Sequence, residues 1–185
     1  MKVTTARFPA SQRLSGRVRL VIAVRNAGHR ALPDVAVTIC NTSCAPSHRL
    51  GRGTAAAAFG QDVSGTGLAT RSRPVWVVRR APGGCHFHCH DPGGQAGSSV
   101  TANSNTWALG RLAPGRTARF TWALTPVAAG RQVVAWQVAG DLTGAARATV
   151  AAGGIPHGRF RVTIDARPVR SRVTPSGEVV TTGRS

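Results

Sequence analysis

Hydrophobic and polar residues alternate along this chain with a period of two. Val18, Leu20, Ile22 and Val24 take the even positions of residues 17–25, and Arg17, Arg19 and Arg25 take odd ones. This is the pattern of a half-buried strand with arginines on its wet face. Asn26-Ala27-Gly28 breaks it, and a second strand with Val35, Val37 and Ile39 on one face follows. Residues 74–78 and 106–109 read as further strands. Phe120, Trp122 and Leu124 share a face of residues 117–124, with Arg119 and Thr121 on the other. Val134, Trp136 and Val138 do the same in residues 131–138, and Phe160, Val162 and Ile164 in residues 159–165. Residues 145–150 read as a weaker strand. Leu112-Ala113-Pro114-Gly115 and Ala128-Ala129-Gly130 are turns, since proline presets its own φ and glycine accepts a positive one.

No segment shows the 3.6-residue period of an amphipathic helix, and the apolar run at residues 55–58 is too short to stand as one. The expected fold is all-β, an Ig-like antiparallel β-sandwich of about seven to nine strands. It occupies residues 14–165, after an N-terminal segment, 1–13, that looks truncated. A basic flexible tail, 166–185, follows, with a short strand at Val179-Val180. Residues 41–73 and 81–103 are long, Gly/Ser-rich and weakly periodic, and read as two loop insertions. The longest apolar stretches are strand-sized, far from the ~20 residues of a spanning helix. The start, MKVTTARFPASQRLSG, has no apolar core and is not read as a signal peptide.

Lys and Arg total 24 of 185 residues against 6 Asp and Glu, for a net charge of +18 and a pI near 12.0. Lys2 is the only lysine, so 23 of the bases are arginine. A Walker-type phosphate loop and a Schiff-base lysine are thereby excluded from the body of the chain. The single glutamate, Glu178, excludes paired-glutamate acid/base chemistry. A basic fraction of 24 in 185 is unremarkable, so the charge comes mainly from missing acids. It reads either as compositional drift or as attraction to an anionic partner. No arginine run is interleaved with aromatics, which makes nucleic acid the less favoured partner.

The opening strands, GRVRLVIAVRNAGHRALPDVAVTI, with Asn26-x-Gly28, Leu32 and Val35-x-Val37-x-Ile39, resemble the first hairpin of bacterial Ig-like, adhesion-related domains of the CARDB and conserved-repeat type. Leu109-Gly110-x-Leu112-x-Pro114-Gly115 leading into Phe120-x-Trp122, and Pro126-x-x-x-Gly130 leading to Val138, are similar to the later strands of the same families. The likeness covers roughly residues 14–150. It implies a non-catalytic interaction, adhesion or accessory module of a bacterial envelope or secreted protein. The partner it implies is a protein or an anionic wall or membrane polymer. The alternative is a basic cytosolic protein that binds nucleic acid or another polyanion.

Cys40-x-x-x-Cys44 and Cys85-x-x-x-Cys89 repeat one spacing. An even count in an envelope-type domain favours disulfides of open connectivity. Bridges between the pairs would staple the two insertions together, with ~3–4 kcal/mol of loop-closure stabilisation. The alternatives are zinc held by Cys85, His86, His88, Cys89 and His90, or unpaired thiols. No other cofactor is expected. Solvated loop histidines are the plainer reading of the three imidazoles. A Cys85 or Cys89 nucleophile beside His86 or His88 is disfavoured, because neighbours on an extended chain point to opposite faces. Asp62 and Asp91 are the acids of the insertions, and no enzyme activity is expected. Trp107, Trp122, Trp136, Phe120 and Phe160 read as core. Trp76, between the insertions, is either core or an exposed platform for a ligand.

Overall fold

The computed structural model describes residues 1–41, 44, 59–61, 74–83, 106–141, 146–177 and 179–182. Its strands are β1 (Lys2–Arg7), β2 (Ser11–Arg13), β3 (Val18–Arg25), β4 (Ala36–Asn41), β5 (Phe59–Gln61), β6 (Trp76–Arg80), β7 (Thr106–Ala108), β8 (Thr117–Pro126), β9 (Gly130–Ala139), β10 (His157–Asp165), β11 (Arg170–Val173) and β12 (Val179–Thr182). One sheet runs β1-β3-β8-β6-β5, a second runs β2-β10-β9-β4-β7, and β11-β12 form a hairpin. The orders β1-β3-β8-β6 and β10-β9-β4 are those of an immunoglobulin-like sandwich, and the expected all-β class is what the chain adopts.

The alternating positions do what their periodicity dictates. In the β3–β8 pair, Leu20 faces Trp122 and Ile22 faces Phe120 across the ladder, while the odd positions of β3 face the other way. In the β4–β9 pair, Val37 meets Val138 and Ile39 meets Trp136. These inward rows form one core. Two aromatic groups tie the sheets together. Trp107 of β7 meets Trp122 of β8 edge-on, centroids 5.4 Å apart, and Phe120 stacks on Trp122 at 6.1 Å. Phe8 packs on Trp76 of β6 at 5.4 Å and on Phe160 of β10 at 5.8 Å.

The turns are built as their residues require. Gly115 and Gly130 take φ of +72° and +110°, where a side chain would be strained. Asn26 is buried and organises the loop that ends β3. Its Oδ1 accepts from the Gly28 amide at 3.0 Å, and its Nδ2 donates to the carbonyls of Arg30 and Leu112 at 2.8 and 3.0 Å. Asp34 Oδ1 in turn accepts from the Gly110 amide at 3.0 Å.

Several expectations are corrected. The first residues are not a segment ahead of the sandwich. Lys2–Arg7 pairs antiparallel with β3, and Ser11–Arg13 lies parallel to β10. The sandwich is therefore mixed rather than wholly antiparallel, with β5–β6 a second parallel pair. With these additions each sheet of the sandwich holds five strands among the described residues, close to the number expected. Part of the expected flexible tail is the β11–β12 hairpin, with Arg170 opposite Thr182. Residues 146–150, expected as a strand, are not one. They cross over Gly140 and bury Ala148, the Ala148 amide nitrogen lying 3.0 Å from where a Gly140 Cβ would be. Among the described residues no helix is long and apolar enough to cross a membrane.

Candidate functional site

Strand pairing gathers cations that are scattered in sequence onto one surface. On the outer side of the first sheet, Lys2 stands directly opposite Arg25, Ala23 opposite Arg119, and Arg7 opposite Val21. Ala123 of β8 has Arg19 on one flank and Arg80 on the other. Lys2, Arg7, Arg19, Arg25, Arg80 and Arg119 are all exposed. Directly opposed residues have Cβ atoms about 5 Å apart and diagonal ones about 7–8 Å. Lys2, Arg25 and Arg119 thus form one oblique row across three strands. Arg7, Arg19 and Arg80 form another. Between the rows lie Val21, Ala23, Thr121 and Ala123, short side chains that leave the guanidinium groups standing above a low floor.

No acidic residue occurs on β1, β3, β6 or β8. Like charges set directly opposite, as Lys2 and Arg25 are, destabilise a sheet rather than support it. Arg25 is partly held by its Nε donating to the Gly115 carbonyl at 3.1 Å. Among the described residues the face is therefore not a network of internal ion pairs but an array of exposed cations. Guanidinium groups present paired donors suited to phosphate or carboxylate oxygens. Among the described residues of these four strands no aromatic ring rises from the array, since Trp76, Trp122 and Phe120 point into the core.

The site residues expected from sequence fall differently. Cys40 and Cys44 form a disulfide across a sequence separation of 4. This overturns a bridge from either of them to Cys85 or Cys89, so this pair does not staple the insertions together. Cys40 is the penultimate residue of β4, and Cys44 lies four residues on. Entropic closure of so short a ring contributes only about 2 kcal/mol, against ~3–4 for the longer loops. Tryptic peptide 31–49 is expected to carry both thiols as one internally bridged species, lighter by a pair of hydrogens than after reduction. A cross-linked partner peptide from residues 81–111 would refute the pairing. Cys85, His86, His88, Cys89, His90, Asp62 and Asp91 lie outside the described residues. Among the described residues, no three His, Cys, Asp or Glu side chains gather to hold a metal ion.

Trp76 is not a ligand platform. It is 1% exposed, its ring is packed against Phe8, and its Nε1 donates to Gln12 Oε1 at 2.7 Å. The turn into β6 puts its side chain on the inner face, opposite Pro126.

No family model matches the chain. None of the curated proteins matches it. Among solved structures it is similar to the CARDB domain of a Pyrococcus furiosus protein in complex with di-metal ions. That likeness has 11% identity and a TM-score of 0.43, covering 86% of this chain and 83% of that one. The chain is also similar to AvmM, which catalyzes macrocyclization in alchivemycin A biosynthesis, with 11% identity, a TM-score of 0.40 and coverage of 87% and 88%. The metal ions belong to the one and the reaction to the other. The residues that make the cationic face come from this chain's own strands.

Proposed function

We propose that this chain is a non-catalytic Ig-like interaction module of a bacterial envelope or secreted protein. Its outer β1-β3-β8-β6 face binds an anionic, phosphate-bearing wall polymer. The carrying observation is the exposed array of Lys2, Arg7, Arg19, Arg25, Arg80 and Arg119 on strands that hold no acid. A sheet face with short residues between long cations suits a flexible polyanion that needs no deep pocket. The Cys40–Cys44 disulfide supports an oxidising compartment outside the cytoplasm. The reading involves no cofactor and no chemical step. Nucleic acid would feel the same charge, but among the described residues β1, β3, β8 and β6 turn no ring outward on which a base could stack.

Titration with poly(glycerol phosphate) of uniform length tests the reading. Binding is expected to be saturable at low salt and to weaken steeply as salt is added. Replacing Arg19, Arg80 and Arg119 together by glutamine is expected to weaken it at least tenfold. A contribution on the order of 1 kcal/mol per cation near an anionic surface sets that scale. Thermal stability should change little, because the three are exposed. Absence of binding at low salt, an unchanged affinity in the triple variant, or tighter binding of single-stranded DNA at equal phosphate count would each overturn it.

A further inference from the structure

The second sheet carries its own cationic surface, turned the opposite way. On β10 Arg159 and Arg161 face outward, Arg161 opposite Val133 and Thr163 opposite Arg131 of β9. Arg131 is thus diagonal to Arg161, about 7–8 Å away, and Arg159 lies two residues along the same strand, about 7 Å. Arg13 of β2 extends the patch, beside Asp165, the one acid on the strands of this sheet. Arg13, Arg131, Arg159 and Arg161 are all exposed, so this half of the sheet is open. Between the two surfaces lies the buried core of Trp122, Phe120, Trp136 and their neighbours. Two sheets packed face to face, ~10 Å apart, direct their outer faces to opposite sides of the domain.

From this we infer that one copy of the domain binds two polymer chains at once and acts as a cross-link between them, the first sheet holding one chain and the β9-β10-β2 face another. The inference rests on the proposed polyanion binding and adds to it a valency. The second face has fewer cations and one acid, so it is the weaker of the two. The link joins separate stretches of polymer, in the manner of any bivalent binder.

A two-step capture assay tests this. Poly(glycerol phosphate) coupled to a surface first binds the protein, and fluorescently labelled soluble poly(glycerol phosphate) is then added. The wild-type protein is expected to retain the labelled polymer. The triple variant Arg131→Gln, Arg159→Gln, Arg161→Gln should still occupy the surface but retain at least tenfold less label per bound protein. The first-face triple variant should lose label to the same extent per bound molecule. A control with Arg30, Arg111 and Arg167 replaced by glutamine removes the same charge from exposed loops and should retain it. Full retention in both face variants, as a dimer bridging through one face would give, overturns the inference. So does an equal loss in the control, which would mark simple charge neutralisation. If no protein reaches the coupled polymer, the binding itself fails, which is a different result from protein that binds without capturing label.

Discussion

Truncating Trp76 to alanine is expected to destabilise the protein by about 3–5 kcal/mol, the range for removing a large buried aromatic. Two losses combine. The indole fills the inner side of β6 against Phe8, and its Nε1 satisfies the buried Gln12 Oε1 at 2.7 Å. That hydrogen bond crosses from one sheet to the other, tying the three-residue strand β2 to β6. Trp76→Phe separates the two effects. It keeps most of the ring and leaves the Gln12 oxygen without its indole donor, at a cost of about 1–3 kcal/mol. Gln12→Met should cost less in the Trp76→Phe background than in the wild type, because its partner has already gone. Equilibrium urea unfolding measures all four proteins, with the midpoint falling and the slope unchanged. Equal effects of Gln12→Met in both backgrounds would show that the bond does not couple the sheets.

Gly158→Ala should destabilise by about 1–3 kcal/mol, a large effect for adding one methyl group to a strand. The added Cβ would stand 2.5 Å from Cζ2 and 2.8 Å from Cε2 of Trp136. Gly158 pairs directly with Trp136 across the β9–β10 ladder, and the indole lies over the glycine. The ring is 4% exposed and rigid, so it has nowhere to swing. Its Nε1 is buried without a hydrogen-bond partner among the described residues, so the position is held by packing alone. Trp136→Phe removes the outer part of the indole, which carries the closest contact, Cζ2. In that background the alanine should cost less than about 0.5 kcal/mol, as thermal or urea melts would show. An equal penalty in both backgrounds would point to backbone conformation rather than the ring.

The parity of each strand was readable in the amino-acid order. Leu20, Ile22 and Val24 had to face opposite to Arg19 and Arg25, whatever the fold, because successive side chains of a strand alternate. The same holds for Phe120 and Trp122 against Arg119, and for Phe160, Val162 and Ile164 against Arg159 and Arg161. The turns at Gly115 and Gly130 were readable too, since few other residues accept their φ values. Residues 146–150 are not the strand their pattern suggests, because Ala-Arg-Ala-Thr-Val is short and its small alanines carry little signal of which face is buried. β1 and β2 left almost none. Lys2–Arg7 is mostly polar, and Ser11–Arg13 is three residues long. Each becomes a strand only because a neighbour, β3 or β10, supplies the ladder.

Trp76 shows the same boundary in a single residue. A tryptophan beside a long loop is equally suited to stacking on a ligand and to filling a core, and its neighbours in sequence do not choose. The choice is made by Phe8 and Gln12, more than sixty residues away, which reach it only when the N-terminal strands close over the sandwich. The cations follow the same rule on a larger scale. The order of residues along the chain is enough for wet, arginine-bearing strand faces with very few acids to neutralise them. It does not say which arginines are neighbours. Pairing of β1, β3, β8 and β6 brings Lys2, Arg7, Arg19, Arg25, Arg80 and Arg119 to one side, and pairing of β9 with β10 brings Arg131, Arg159 and Arg161 to the other. The physical reason is that alternation is a local property of an extended backbone, whereas strand order is set by long-range burial of both inner faces in one core.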